Sequence, residues 1–269
     1  MTVFQALVLG ILQGLAEFLP ISSSAHLALA PWLFGWPDPG LSFDVALHFG
    51  TLVAVLWYFR REWISLLVAA RDIVVQRRVD TEAQRRVIFL IIATIPGALA
   101  GLALEKYAES TFRQPRLVAI ALIVMGVVLW LIDRFAAQDR TLADMTWTDA
   151  LAIGLAQMFA IIPGVSRSGS TITAGRALKL SRESAAVFSF LMSMPIIAAA
   201  AVLKMPEALR EHGLSAPMVV GILASALSGW LAITVLLRLV VRHSYGIFAV
   251  YRVLLGVGIL LIIAARARA

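Results

Sequence analysis

The sequence of 269 residues contains no cysteine. That absence excludes disulfides, thiolate zinc sites, iron–sulfur clusters and a cysteine nucleophile. Charge is also scarce, at 14% of residues, where soluble domains carry about 25%. Apolar residues take up the difference: 61% of the chain is hydrophobic and the mean hydropathy is +0.89. A water-soluble fold of this size cannot cover so much apolar surface, and disordered chains are poor in such residues. The composition therefore predicts an all-α, polytopic integral membrane protein. The net charge of +7 would suggest nucleic acid in a soluble protein. Here the cations are scattered among loops, where they anchor helices on the cytoplasmic side, and no nucleic-acid partner is expected. A secretory signal is not expected either, because a signal needs a basic start. The first cation is Arg60, and the opening apolar stretch is broken by Gln13 and Glu17.

A membrane-spanning helix needs about 20 apolar residues, with a range of roughly 17–25. Six runs qualify: 43–59, 87–105, 117–132, 185–203, 217–237 and 247–265. The shorter run 64–75 reads as an interfacial segment, and the polar stretch 133–149 as a loop. Segments 2–35 and 150–183 each hold an apolar arm, a break rich in Pro, Ser and Gly, and a second short arm. Irregular backbone at membrane depth is tolerated only inside protein or around a watery cavity, so both segments read as re-entrant helical hairpins.

An internal repeat accompanies them. Gly10-x-x-Gln13-x-x-Ala16 matches Gly154-x-x-Gln157-x-x-Ala160 at an offset of 144, and Phe43 with Gly50 answers Phe188 with Pro195 at 145. Gly101 pairs with Gly229, and Gly126 with Gly256, at offsets of 128 and 130. Each half then holds one hairpin and three spans. Three is odd, so the second half is inverted relative to the first, a layout common among transporters. The expected organisation is a single membrane domain, 1–269, with repeats at approximately 1–135 and 145–269. Regions 60–86, 133–184 and 238–246 together carry 15 cations, and those of the other face carry 7. The positive-inside rule makes the first face cytoplasmic and puts both termini outside.

Several polar residues sit in apolar surroundings. Gln13 and Glu17 are four apart and share a helix face, and His26 follows three residues after Ser23. Intramembrane ionisable groups are costly and usually functional, although Glu17 could instead pair with a cation that holds helices together, and His26 could be a satisfied interior histidine. In the second hairpin, Pro163-Gly164 turns the chain and Ser166-Arg167-Ser168 follows, with Thr171 beyond. Serine caps and a helix N-terminus make an anion site, to which Arg167 adds a planar fork for phosphate oxygens. In the plainer reading the serines only cap and Arg167 only anchors at the interface. For His48 and Arg252, both inside spans, structural and site roles are evenly balanced. If the two hairpin tips meet, acid, hydroxyl and imidazole groups face an anion cradle, a set suited to phosphoryl transfer on a lipid-tailed phosphate.

The segment Gln13-Gly-Leu-Ala-Glu17-Phe-Leu-Pro-Ile-Ser22-Ser23-Ser24-Ala-His26 resembles the first signature of the undecaprenyl-diphosphate phosphatases, the bacitracin-resistance protein family. Pro163-Gly-Val-Ser166-Arg167-Ser168-Gly-Ser-Thr171 resembles the second, and Ala46-Leu-His48-Phe-Gly-Thr, Phe188-Ser-Phe-Leu and Tyr251-Arg252 are also similar to family text. The resemblance covers essentially the whole chain. It implies removal of the terminal phosphate of undecaprenyl diphosphate, which recycles the lipid carrier of cell-wall synthesis and confers bacitracin resistance. It further implies a divalent cation, Mg2+ or Ca2+, a homodimer, and a site facing outward from the bacterial plasma membrane. By motif, Glu17 is the essential acid and a metal ligand, Ser23 the nucleophile, His26 the proton-transfer residue and Arg167 the phosphate clamp. Gln13, Ser22, Ser166, Ser168 and Thr171 fall on substrate-binding positions. Two departures stand out. Gln13 occupies a position that is often Glu and brings no charge to a metal, and Val187 replaces a residue that is often acidic. The competing function is transport of undecaprenyl phosphate or another organic anion, which the inverted repeat and midplane anion site would also suit but which needs no serine and histidine beside Glu17.

Overall fold

The structure, a computed structural model, describes residues 1–268, the side chains of Glu105, Glu109 and His212 excepted. Among the described residues it is helical, with no strand and one isolated bridge between Arg140 and Leu180. Eleven α-helices follow one another: α1 Val3–Phe18, α2 Ser23–Phe34, α3 Gly40–Tyr58, α4 Arg60–Gln76, α5 Glu82–Glu109, α6 Pro115–Phe135, α7 Trp147–Met158, α8 Arg167–Ala177, α9 Arg182–His212, α10 Ala216–Arg242 and α11 Gly246–Arg266.

Six of these, α3, α5, α6, α9, α10 and α11, are long and apolar enough to cross a membrane, and each contains or closely overlaps one of the six apolar runs. The ends differ from the runs for a physical reason. Hydropathy marks what the bilayer demands, whereas caps mark where a helix begins and ends. Thus α5 starts at a capping box made by Thr81 and Gln84, ahead of the apolar residues. Helix α9 continues for 31 residues through Pro195 and Pro206. The stretch 133–149 is not all loop: α6 runs on to Phe135 and α7 begins at Trp147. Helix α4 exposes Ile64, Leu67, Val68, Val74 and Val75 while burying Leu66 and Ala69, the pattern of a helix lying along an interface.

Asp133, in the last turn of α6, is buried and organises one end of the bundle. Its Oδ1 accepts from Arg176 Nε at 3.0 Å and Arg182 Nε at 2.8 Å, and its Oδ2 from the Tyr245 amide at 2.9 Å. Arg176 is fully buried and also donates to the carbonyls of Ala136, Ala137 and Leu180. The end of α6, the end of α8 and the starts of α9 and α11 are thereby tied together. Replacing Asp133 by Ala strands a buried guanidinium, so a stability loss of about 3–5 kcal/mol is expected. Thermal unfolding in detergent measures it, and an unchanged melting temperature would contradict this role.

The short helices α1, α2, α7 and α8 have 16, 12, 12 and 11 residues, too few to cross a hydrocarbon core of about 30 Å at 1.5 Å per residue. Helix α1 lies closely along α10, and α7 lies along α5. The close approach depends on small residues. A Cβ at Gly10 would stand 2.3 Å from the Gly221 carbonyl oxygen, and one at Gly154 would stand 2.6 Å from that of Ala93. Each short arm is therefore seated by backbone contact with a spanning helix, which fixes how far its tip reaches.

Candidate active site

Each tip is built the same way. After α1 the chain turns through Leu19, Pro20 and Ile21 to Ser22, which has φ 76° and whose Oγ accepts from the Ala25 amide at 3.3 Å. After α7 a short 3-10 turn, Phe159–Ile161, leads through Pro163 and Gly164 to Ser166, which has φ 74° and whose Oγ accepts from the Gly169 amide at 3.0 Å. A serine in left-handed backbone is uncommon and costs about 1–3 kcal/mol. Two such serines, each capping the next helix, stand at matching places in the two signatures. At each tip the residue just inside the cap is one of the expected site residues: Ser23 on α2 and Arg167 on α8. The first-turn amides beside them have no acceptor within their helices and face outward from a positive helix end.

The tips touch. The Gly164 amide donates to Ser22 Oγ at 3.0 Å, and Ser168 Oγ donates to the Leu19 carbonyl at 3.2 Å. Glu17, 6% exposed, lies at their junction. Its Oε1 accepts from Arg167 Nη2 at 2.7 Å. Its Oε2 accepts from Ser23 Oγ at 2.6 Å and Gln13 Nε2 at 3.1 Å, and His48 Nε2 stands 3.3 Å away. Arg167 Nη1 donates to the Ser189 carbonyl at 2.8 Å, so α9 holds the back of the guanidinium. One carboxylate thus joins a serine hydroxyl from its own hairpin and an arginine from the other.

The remaining expected residues divide into two groups. Ser22, Ser166, Ser168 and Thr171 are buried and work within the tips: the first two cap, Ser168 bridges to Leu19, and Thr171 Oγ1 donates to the Arg167 carbonyl at 2.8 Å and meets Ser189 Oγ at 2.7 Å. They shape the cradle through its backbone. His26, expected as the proton-transfer residue, does not bond to Glu17. Its Nδ1–H donates to the Ser22 carbonyl at 2.7 Å, and its Nε2 accepts from the Tyr251 hydroxyl at 2.6 Å, with the two rings parallel at 5.7 Å. The cause is local. One turn into α2, the imidazole folds back on its own cap carbonyl, which turns the other nitrogen towards α11 and away from Glu17. Because a carbonyl only accepts, the hydrogen is fixed on Nδ1 and the lone pair on Nε2.

The imidazole that does meet Glu17 belongs to His48, on α3, whose Nδ1–H donates to the Asp44 carbonyl at 2.7 Å. Sequence reasoning left His48 evenly balanced between a structural and a site role and gave Tyr251 no role, although both lie in stretches similar to family text. Nothing local says which neighbour either one meets.

A divalent cation can be judged against this donor set. Among the described residues no three His, Asp or Glu side chains cluster as a metal cage. Gln13 Oε1, however, is buried without a hydrogen-bond partner, beside the Glu17 carboxylate. One carboxylate and one amide oxygen fit an ion such as Mg2+, which uses one or two protein ligands and fills its shell with water and phosphate oxygens. They do not make the six-to-eight-oxygen seat of Ca2+.

A serine hydroxyl held against a buried carboxylate, with an arginine fork on the other oxygen, at the junction of two helix-capping tips in a multi-pass helical protein, is an arrangement suited to phosphoryl transfer in a membrane. The model of the bacitracin resistance protein BacA family matches residues 6–258. Similar proteins named undecaprenyl-diphosphatase include one from Gemmatimonas aurantiaca, 60% identical over 266 residues that cover 99% of this chain and 100% of the relative. Others come from Pelotomaculum thermopropionicum, 50% identical over 99% of this chain and 98% of the relative, and Geobacter sulfurreducens, 48% identical over 99% and 100%. The chain belongs to the bacitracin resistance protein BacA family.

Arg167→Lys keeps the charge and loses the fork that reaches Glu17 and Ser189 together. A fall of at least about tenfold in kcat/KM, roughly 1.4 kcal/mol, is expected. Wild-type turnover by the Lys variant would remove Arg167 from the site.

Proposed function

We propose that the protein removes the terminal phosphate of undecaprenyl diphosphate, giving undecaprenyl phosphate and inorganic phosphate, and that the tips around Glu17 are where it does so. The observation that carries this reading is the 2.6 Å hydrogen bond from Ser23 Oγ to Glu17 Oε2, with Arg167 on the other oxygen. Transport needs an anion cradle but no hydroxyl held against a buried carboxylate. The relatives' name, undecaprenyl-diphosphatase, supports hydrolysis of this substrate, and nothing in the site favours transport.

The residues divide the work as follows. The diphosphate settles on the free amides of the two helix starts, and Arg167 turns its fork to the terminal phosphate. Ser23 Oγ attacks the terminal phosphorus while its proton passes to Glu17. A serine–phosphorus bond forms, the bond to the bridging oxygen breaks, and undecaprenyl phosphate leaves. Water then attacks the phosphoserine. His26 Nε2, once the Tyr251 hydroxyl that it accepts from swings aside, takes the water's proton and passes it on to solvent, and Ser23 Oγ recovers its own from Glu17 as inorganic phosphate departs. Gln13 and Glu17 would hold the divalent cation that the family resemblance implies, and the ion would supply positive charge to the phosphate oxygens.

The 15-to-7 cation split supports a plasma-membrane orientation with both termini and the site outside. The pairing of α1 with α10 and of α7 with α5, each re-entrant arm lying against a span of the opposite half, supports two inverted repeats at approximately 1–135 and 145–269. A homodimer is the oligomer that the family resemblance implies. Two experiments test the reading. Purified protein in detergent, with no gradient, should release inorganic phosphate from undecaprenyl diphosphate, and failure to do so would favour transport. A C-terminal reporter active only in the periplasm should give signal, whereas signal from a cytoplasm-only reporter would reverse the orientation.

A further inference from the structure

Among the described residues, several buried or half-buried arginines have a carboxylate partner: Arg113 has Asp44, Arg167 has Glu17, and Arg176 and Arg182 share Asp133. Arg252 of α11 is fully buried and has no carboxylate partner among the described residues. Its donors go only to backbone carbonyls: Nε to Leu122 at 3.4 Å, Nη1 to Pro20 at 3.0 Å, and Nη2 to Gly164 at 2.6 Å and Val165 at 2.9 Å. Pro20 belongs to the first tip, and Gly164 and Val165 to the second. The guanidinium also lies under the start of α8, where a Cβ at Gly169 would stand 2.6 Å from Nη1. It is therefore below the two helix starts, behind the backbone that faces the substrate.

A buried charge is normally paired, because taking it out of water costs several kcal/mol. Carbonyl dipoles satisfy the hydrogen bonds of Arg252 but leave its unit charge unbalanced inside a low-dielectric interior. Such a charge strengthens the hold on any anion placed close by.

We infer that Arg252 is a positioning residue whose uncompensated charge is balanced by the substrate's diphosphate. The inference rests on the proposed reading of the tips as the phosphate site. Arg252 does not touch the substrate. It acts through its field, which bears alike on the bound substrate and the transition state. Its loss should therefore appear in KM more than in kcat.

The test compares Arg252→Gln, which removes the charge, with Arg252→Lys, which keeps it while losing the fork. Both are purified in detergent and assayed with undecaprenyl diphosphate, and thermal unfolding with and without inorganic pyrophosphate provides a second readout. The Gln variant should raise KM at least about tenfold, equivalent to roughly 1.4 kcal/mol, with kcat changed by less than about threefold. It should also lose the thermal stabilisation by pyrophosphate. The Lys variant should keep KM within about threefold of wild type and retain that stabilisation. An unchanged KM in the Gln variant overturns the proposal, and so does a Lys variant as impaired as Gln. If Gln does not fold, the Lys variant decides alone. A Lys variant that also fails to fold shows that the fork's geometry matters rather than the charge, and overturns the proposal too. Wild-type protein that releases no phosphate would sink the proposed function itself, a result separable from either variant's behaviour.

Discussion

Glu17→Gln should lower kcat/KM by at least about a thousandfold, some 4 kcal/mol of transition-state stabilisation. Glutamine has the same length and shape, but its one oxygen can replace the acceptor of Arg167 or that of Ser23, which use different oxygens of Glu17, and its NH2 cannot accept. It cannot take the Ser23 proton, and it leaves Arg167 facing an amide where it now faces a carboxylate 2.7 Å away. The carboxylate is buried, so each of its partners depends on its charge in an environment where water cannot substitute. Activity measured on protein shown to be folded by thermal unfolding checks the expectation. A Gln variant above about a tenth of wild-type rate would mean that Glu17 serves structure alone.

The second large effect concerns Ser23 and His26. Ser23→Ala removes the attacking oxygen, and His26→Ala removes the base assigned to the second step. If the two residues serve one covalent route, the double variant should be no worse than either single one, because groups acting as a unit are non-additive. All three should sit on a common floor, at least about a hundredfold below wild type. The competing route is direct attack by a water on the terminal phosphorus, with Ser23 only a hydrogen-bond donor. In that case Ser23→Ala should retain more than about a tenth of the wild-type rate while Glu17→Gln still abolishes activity.

Much of this molecule is legible in its sequence because the bilayer imposes a simple rule. A stretch of apolar residues long enough to cross must be a helix, and the six expected runs correspond to α3, α5, α6, α9, α10 and α11. The helix ends were less legible. Asp133 and Arg176 read as loop or hairpin charges, and only packing shows that they neutralise each other inside the fold. The site divides in the same way. Glu17, Ser23 and Arg167 lie in two short signatures whose Pro, Gly and Ser residues announce a turn and a cap, so the acid, the hydroxyl and the fork could each be placed at a tip. His26 lies on α2, three residues after Ser23, and that spacing says nothing of the phenol of Tyr251, 225 positions away. His48 reaches Glu17 from α3 and Arg252 reaches both tips from α11. Such contacts depend on how helices dock, which no periodicity within a helix encodes.

The most direct measurement is a rapid acid quench of purified wild-type protein turning over undecaprenyl diphosphate labelled in its terminal phosphate, followed by mapping of any labelled peptide. Attack by Ser23 from its hydrogen bond with Glu17 predicts label on Ser23 within the first turnover, its loss on a chase with unlabelled substrate, and none on Ser23→Ala. Steady phosphate release with no label on the protein at any quench time would contradict it.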